Sequence, residues 1–259
     1  MNSTLVIPAY NEGHVLGALV AEVLREHPQM INEVIIVDDG STDRSVERLP
    51  DDARVRVIVH PRNEGKARAL IDGMQLALAR GAERIVTLDG DGQHRPADIA
   101  RLARAAADHP RAIVIGARLA ERDRIPSARY RANRFANFWI AWASGWPVSD
   151  SQSGFRLYPA DALRAVLPLL AQRYPASHDS RRKGFVFESE LLIECGHRTF
   201  GTLAVRVPAL YNTARASHFR PVADIAQIVI MVAGQLLRRG LHLPGLWRSL
   251  HAPPRLFPD

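Results

Sequence analysis

The sequence predicts an α/β protein with a mostly parallel sheet and helices on both of its faces. Two observations support this class. Short apolar runs alternate five times with segments of helical hydrophobic spacing, as expected when helices connect parallel strands. Polar clusters follow these apolar runs, and ligands of such sheets bind beyond the carboxyl ends of the strands. We therefore expect the clusters to meet on one polar rim, which is the predicted ligand-binding edge of the sheet.

The predicted elements follow one another closely along the chain. A first strand is predicted over Thr4–Ile7, and the apolar residues between Val15 and Leu24 then repeat at helical spacing. A second strand, Glu33–Val37, ends on the polar cluster 38–43, in which Ser41 is the expected N-cap of another helix. The remaining elements are predicted as strands over Val55–Val59, Ile85–Leu88, Ala112–Ile115 and Leu203–Val207, and as helices over Ala67–Ala79 and Pro96–Asp108.

The composition is that of an ordinary globular protein, with 47% hydrophobic and 24% charged residues among 259. A formal net charge of +7 favours an anionic partner, such as a nucleotide, a nucleic acid or an anionic membrane surface. The single cysteine, Cys195, excludes an internal disulfide and is expected to be a buried thiol in a helix. No GxGxxG segment follows the first strand and no GxxxxGK(S/T) segment occurs, which argues against a dinucleotide cofactor and a P-loop.

The segment DGDGQ, residues 89–93, follows the fourth predicted strand and is the strongest candidate site. Mg²⁺ usually takes one or two carboxylates and completes its shell with phosphate oxygens and water. Asp91 and the Gln93 side-chain carbonyl, with Asp89 beside them, offer such a partial shell. Taken alone, the segment also fits an ordinary turn, since Asp and Gly are common turn residues. The other polar clusters at neighbouring strand ends favour the cation site.

Two later segments carry candidate residues with two interpretations each. Arginines crowd residues 118–134, where they form either a solvated face or a clamp for diphosphate, the latter by Arg118 and Arg131. The segment 149–156 is too rich in small polar residues to be a helix. Within it, Asp150 is either a structural carboxylate that caps a turn or a general base.

Eight segments in order together resemble the inverting, nucleotide-sugar-dependent glycosyltransferases of family 2. The resemblance is greatest to dolichol-phosphate mannose synthase and to bacterial polyprenyl-phosphate glycosyltransferases. The segments are IPAYNE (7–12), VDDGSTD (37–43), NEGKARAL (63–70), LDGDGQH (88–94), GAR (116–118), DSQSGFR (150–156), KGFVFESE (183–190) and VRVP (205–208). The resemblance implies a single GT-A-type nucleotide-sugar-binding domain over residues 1–220. Residues 221–252 would form C-terminal amphipathic helices, and 253–259 a frayed tail.

The resemblance also implies roles for individual residues. For the donor, it implies Pro8, Tyr10, Glu12 and Asp39 around the base and ribose, Asp89 at the diphosphate, and Arg118 and Arg131 at the phosphates. For Mg²⁺ or Mn²⁺, it implies Asp89, Asp91 and Gln93. For the acceptor, it implies Gln152, Ser153, Arg215, Ser217 and His218. In this interpretation Asp89, Asp91 and Arg215 serve catalysis, with Asp150 if a base is needed.

The acceptor is predicted to be lipid-linked, and two chemistries remain open. A phosphate monoester is largely dianionic at neutral pH and needs no general base. A hydroxyl of a lipid or an aromatic polyene needs one, for which Asp150 is the candidate. His218 stands where the family usually has lysine, which weakens the case for a phosphate, whereas Arg215 supports it. We favour a polyprenyl phosphate.

The segment 222–237 is too short and too polar to span a membrane, yet its apolar residues keep helical spacing. With Arg238, Arg239 and the apolar residues beyond, it suits either a membrane interface or a packing face against protein, including a homodimer or a membrane-protein partner. The N-terminal residues lack the profile of a signal peptide. We therefore expect a cytoplasmic enzyme, peripheral on the cytoplasmic face of a membrane.

Two other functions compete with this interpretation. A sugar nucleotidyltransferase would show a glycine-rich and basic loop directly after the first strand, and PAYNEGH is not such a loop. A basic nucleic-acid-binding module would suit the net charge, but the basic residues are spread and the predicted rim is acidic. We therefore expect no nucleic-acid partner.

Overall fold

The computed structural model describes residues 2–118, 127–176, 184–208 and 221–258. Within them lie seven strands, β1 (Ser3–Ala9), β2 (Ile31–Asp38), β3 (Val55–Val59), β4 (Arg84–Thr87), β5 (Ile113–Ala117), β6 (Arg156–Pro159) and β7 (Thr202–Arg206). The helices of these residues are α1 (Leu16–Glu26), α2 (Lys66–Ala79), α3 (Ile99–Asp108), α4 (Ser127–Ser144), α5 (Ala160–Arg173), α6 (Gly184–His197), α7 (Pro221–Arg239) and α8 (Leu243–His251). The predicted α/β class is confirmed.

The strands form one sheet in the order β3-β2-β1-β4-β6-β5-β7. All neighbouring pairs are parallel except those of β6, which runs antiparallel between β4 and β5. Because β1 lies between β2 and β4, the segments that follow these three strands emerge side by side at one edge. The predicted polar rim is built at this edge.

Helices cover both faces of the sheet, as the sequence predicts. Successive side chains of a strand point to opposite faces. Leu5 of β1 accordingly joins the hydrophobic layer beneath α1 and α3, while its neighbour Val6 joins the layer beneath α2, α5 and α6. Both side chains are fully buried. Cys195 is buried on α6, and burial raises the pKa of its thiol to about 12, which fits the predicted inert thiol.

The structure differs from the sequence prediction, or adds to it, in three local features. Ser41 caps no α-helix, because its hydroxyl accepts the Asn11 N–H at 2.9 Å and the following residues form only a short 3₁₀ helix, Ser45–Arg48. Strand β6 was not predicted, since its four residues follow the polar segment directly. The segment 183–190 lies largely within the helix α6.

The C-terminal segment packs on the rest of the chain. Ile228, Val232 and Leu236 of α7 are buried in the same hydrophobic layer as α6, and the far end of the chain pairs with β7. There Ala204 donates its N–H to the Arg255 carbonyl at 2.9 Å and accepts that of Phe257 at 2.8 Å. The predicted frayed tail is therefore wrong for residues 255–257. None of the helices within the described ranges is both long and apolar enough to cross a bilayer.

Candidate active site

The loops after β1 and β2 are joined by hydrogen bonds into one wall of the rim. Gly13 donates its N–H to Asp43 Oδ2 at 2.8 Å, and Thr42 donates its own to Asn11 Oδ1 at 2.8 Å. Asn11 has a φ of 57°, a left-handed conformation that asparagine tolerates better than most residues. The predicted donor residues on this wall are Pro8, Tyr10 and Glu12. Tyr10 is 45% exposed, so its ring is available to a ligand.

Asp39 lies inside this wall, although we expected an open rim carboxylate. It is 3% exposed, and its two oxygens accept the backbone N–H groups of Glu64 and Gly65, each at 2.8 Å. His60 Nδ1 lies 2.8 Å from Asp39 Oδ1, and its Nε2 lies 3.1 Å from Asp72 Oδ2. Asp39 therefore fixes the loop that leads into α2, and its replacement would disturb the fold as well as any ligand.

We expect His60 to make stability depend on pH. Hydrogen bonds to Asp39 and Asp72 raise the pKa of His60 to about 9. The protonated ring therefore contributes stability in full below its unfolded pKa near 6.5, and the contribution disappears as pH rises through about 9. The expected loss is roughly 3 kcal/mol in the free energy of unfolding, because each pKa unit corresponds to ~1.4 kcal/mol.

Urea denaturation between pH 6 and 10 measures this loss. The His60→Gln variant should be less stable than the wild type at pH 6, and its free energy of unfolding should change less between pH 6 and pH 10. The exposed His109, replaced by Gln in the same way, serves as the control and should keep the wild-type profile. A His60→Gln profile as steep as that of the wild type would contradict the assignment.

Asp89, at the end of β4, lies in an ionic cluster. Lys66 at the start of α2 places its Nζ 2.7 Å from Asp89 Oδ1 and 3.2 Å from Glu188 Oε2 of α6. Burial alone would raise the pKa of Asp89, but the Lys66 ammonium outweighs burial and holds that pKa below its ordinary value. A Cβ atom at Gly154 would lie 2.6 Å from both Asp89 oxygens, so only glycine leaves room for this carboxylate.

Asp91 is the second carboxylate of the segment and has a different environment. Its Oδ1 accepts the Gln93 N–H at 3.0 Å, which closes a tight local turn. Burial, followed by the nearby Asp89 charge, raises the pKa of Asp91 above its ordinary value. A raised pKa reflects negative charge that the surrounding groups do not compensate, which is the setting a cation would relieve.

The side-chain oxygens of Asp89, Asp91 and Gln93 suit a cation whose coordination shell the protein supplies only in part. Among the described residues, no group of three His, Cys, Asp or Glu side chains is arranged to hold a metal ion. The two carboxylates and the Gln93 amide would instead form an incomplete oxygen shell, of the kind that a divalent cation such as Mg²⁺ completes with phosphate and water. The turn alternative and the cation site are thus compatible, since the same turn presents the oxygens.

Asp150, the candidate general base, is completely buried and paired with Arg118. Asp150 Oδ2 accepts the Arg118 backbone N–H and Nε–H, each at 3.2 Å, and its Oδ1 accepts the Gln152 N–H at 3.2 Å. Burial would raise the pKa of Asp150, but Arg118 reverses this and lowers it. The geometry matches the structural interpretation of Asp150. The ion pair with Asp150 also holds the side chain of Arg118, which was predicted to bind phosphate.

The polar segment 149–156 is held in place from below by Arg156, which is fully buried. Its guanidinium donates to the carbonyls of Ser153 and Ser151, each at 2.7 Å, and to that of Glu188 at 2.9 Å. Ser153, a predicted acceptor residue, donates its hydroxyl to the Gly116 carbonyl at 2.7 Å. Gln152, the other, is 8% exposed, and its Oε1 has no hydrogen-bond partner among the described residues.

Of the four remaining predicted residues, the structure describes only Arg131. Arg131 lies on α4 and is exposed. Arg215, Ser217 and His218 lie outside the residues that the structure describes. Their roles remain predictions.

Sequence reasoning missed four residues, Lys66, His94, Arg156 and Glu188. His94 is 3% exposed, and its Nδ1 is without a partner in the described part of the chain. Burial, with the Arg118 charge, lowers the pKa of His94 to about 4, so the ring is neutral at pH 7. It borders a cavity of about 230 Å³ between α1 and residues 92–96. All four lie in the segments quoted for the family resemblance. Nothing in the sequence of those segments shows which of the polar or charged side chains are buried at the site and which lie on the surface.

The comparison with known families now decides between the competing functions. The model of Glycosyl transferase family 2 matches residues 4–167. The chain belongs to this family. It is therefore an enzyme, a glycosyltransferase.

Two curated relatives act on polyprenyl phosphates according to their names. A UDP-N-acetylglucosamine–dolichyl-phosphate N-acetylglucosaminyltransferase of Methanococcus voltae is 33% identical over 190 residues, which are 66% of this chain and 74% of the relative. An undecaprenyl-phosphate mannosyltransferase of Micrococcus luteus is 30% identical over 178 residues, 64% of this chain and 70% of the relative.

The fold is shared with glycosyltransferases of GT-A type. Glucosyl-3-phosphoglycerate synthase from Mycobacterium tuberculosis, in complex with Mn²⁺, UDP and glucosyl-3-phosphoglycerate, has a TM-score of 0.63 at 18% identity. The match covers 92% of this chain and 79% of the synthase. At this identity the similarity shows the fold, and the predicted GT-A architecture is confirmed.

Proposed function

We propose that this glycosyltransferase transfers a sugar from a nucleotide-sugar donor to a polyprenyl phosphate, with inversion at the anomeric carbon and with Mg²⁺ or Mn²⁺. The observation that carries the choice of acceptor is the pairing of Asp150 with Arg118. A carboxylate that is fully buried, accepts three hydrogen bonds and has a lowered pKa is a poor general base. An acceptor that needs no base is therefore favoured.

A phosphate acceptor meets this requirement. A phosphate monoester, whose second pKa is near 6, is mostly dianionic at pH 7 and attacks without losing a proton. One phosphate oxygen would form the new bond to the anomeric carbon. The bond from that carbon to the diphosphate would break, and the nucleoside diphosphate would leave with the electron pair. The names of the two curated relatives support the same acceptor class.

The donor would lie across the wall formed by the loops after β1 and β2. Tyr10 and the neighbouring Pro8 and Glu12 would contact the base and ribose, and Asp39 would shape this pocket by fixing the loop before α2. Asp89, Asp91 and Gln93 would hold the divalent cation, which supplies positive charge to the departing diphosphate when it is bound. The Mn²⁺ and UDP in the synthase of the same fold agree with this arrangement.

A paired acceptor assay tests the proposal. The purified protein is incubated with a panel of nucleotide sugars, Mn²⁺, and either a short-chain polyprenyl phosphate or the matching polyprenol. We expect a polyprenyl-phosphate sugar with at least one donor, detected by mass spectrometry, and no product from the alcohol. Its anomeric configuration, read by NMR, should be opposite to that of the donor.

Transfer to the alcohol in preference to the phosphate would overturn this acceptor and restore Asp150 as a candidate base. Retention of the anomeric configuration would overturn the inverting mechanism. Replacing Asp150 by Asn cannot decide between the acceptors by itself. It removes the negative charge that faces the buried Arg118 guanidinium and so disturbs the protein whatever the acceptor is.

We also propose that the C-terminal helices lie on an anionic membrane surface, as suits an enzyme whose acceptor resides in a bilayer. On α8, Leu243, Trp247 and Leu250 follow one another at i, i+4 and i+7, and each is more than 60% exposed. Exposed apolar stripes of this kind mark interaction surfaces. Flotation with phosphatidylglycerol vesicles should capture the protein and fail for a Leu243→Ser, Trp247→Ser variant. Equal capture of both, or a dimer lost in this variant, would contradict the membrane assignment.

A further inference from the structure

Lys66 is placed where a cation bound to Asp89 would have to compete with it. Its ammonium lies 2.7 Å from Asp89 Oδ1 and 3.2 Å from Glu188 Oε2. These two carboxylates come from β4 and α6, so the ammonium bridges two parts of the site that are far apart in sequence. The side chain is 27% exposed and can therefore still be reached by a ligand.

The position of Lys66 is fixed by its surroundings. The preceding residues, Glu64 and Gly65, donate their N–H groups to Asp39, and Gly65 has a φ of 95°, which suits glycine. Lys66 then begins α2 directly at the rim. On the other side, Glu188 is 3% exposed, and its backbone carbonyl accepts a hydrogen bond from the buried Arg156. Both ends of the bridge are thus anchored.

This arrangement has a consequence for divalent cations. A cation that binds Asp89 would stand a few ångströms from the ammonium, and the two positive charges repel each other. The negative charge of a diphosphate relieves the repulsion, because it attracts both the cation and the ammonium. The cation would therefore bind well only together with a nucleoside diphosphate.

We propose that Lys66 occupies the place of the cation against Asp89 in the donor-free enzyme, and that it moves to the diphosphate when the donor arrives. Lys66 is then the positioning residue that makes cation binding depend on the nucleotide. The inference rests on the proposed function, since it presupposes a nucleotide donor and a cation at Asp89 and Asp91.

The test measures Mn²⁺ binding by electron paramagnetic resonance without any sugar transfer. The wild-type protein should bind Mn²⁺ weakly alone and much more tightly with UDP or GDP. Lys66→Met and Lys66→Gln, which remove the charge, should bind Mn²⁺ without nucleotide about tenfold or more tightly than the wild type, because the repulsion is gone. Lys66→Arg, which keeps the charge, should resemble the wild type.

Arg68→Met is the matched control. It removes the same charge from the same helix, but Arg68 pairs with Asp72 and not with Asp89. Its nucleotide-free Mn²⁺ affinity should be unchanged. If Lys66 had only a structural role, replacing it would not increase the nucleotide-free affinity for Mn²⁺.

Each outcome decides the inference. Equal Mn²⁺ affinity of the wild type with and without nucleotide overturns it, even if neither neutral variant folds, and leaves the proposed function intact. Nucleotide-free affinity that does not rise in a folded Lys66→Met or Lys66→Gln protein also overturns it. No Mn²⁺ binding with either nucleoside diphosphate would remove the proposed cation itself, and this inference with it.

Discussion

Replacing Asp91 by Asn should lower the rate of sugar transfer about a thousandfold, because the cation at the leaving group is worth several kcal/mol and each ~1.4 kcal/mol corresponds to a factor of ten. The asparagine oxygen can still accept the Gln93 N–H, so the local turn should survive. What is lost is the negative charge in a place where charge is not compensated, as the raised pKa of Asp91 indicates. The defect should therefore be chemical and not structural.

Release of nucleoside diphosphate, with saturating donor and polyprenyl phosphate, measures the effect. Asp108, an exposed residue of α3, provides the control, and Asp108→Asn should retain wild-type turnover. The melting temperature of Asp108→Asn should equal that of the wild type, and that of Asp91→Asn should be at least as high, because burial disfavours the charge that is removed. Activity of Asp91→Asn within threefold or so of the wild type, or undiminished turnover with a chelator, would exclude the metal role of this segment.

The positions of six of the seven described strands and of the main polar clusters could be predicted, because they depend on local patterns. The DGDGQ segment follows an apolar run, and the parallel sheet then places it beside the loops after β1 and β2. Such placement follows from topology alone. The family resemblance implied which clusters serve the donor, the cation and the acceptor, but it did not give the contacts of each residue.

The long-range pairs could not be predicted in the same way. Lys66 and Glu188 are 122 positions apart, and their meeting depends on how α6 packs beside α2. Asp39 was predicted as a donor ligand, and Asp150 as either a structural carboxylate or a general base. Both lie buried among backbone N–H donors and a cationic or ionisable partner. The sequence does not show whether a carboxylate contacts the ligand itself or instead holds in place a loop that contacts the ligand.

Arg156 is the clearest case of a residue whose importance only the structure reveals, since arginine is rarely buried completely. It joins the loop 149–156 to α6 by donating to the carbonyls of Ser151, Ser153 and Glu188. That loop carries Asp150 and presents Gly154 to Asp89, and α6 carries the Glu188 partner of Lys66. The guanidinium thus supports both sides of the candidate site from beneath.

We therefore expect Arg156→Met to lower the free energy of unfolding by about 3–5 kcal/mol, because each buried carbonyl left without its donor costs ~1–3 kcal/mol and such costs are not fully additive. Methionine fills a similar volume but leaves three buried carbonyls without their donor. Arg164→Met on α5 is the control, because the contact described for Arg164 is an exposed ion pair with Asp161, and it should cost less than ~1 kcal/mol. Urea denaturation of the three proteins measures the difference. If Arg156→Met proves as stable as Arg164→Met, the buried guanidinium is not what holds the loop to α6, and the site must be supported by the packing of Phe155 and Phe187 instead.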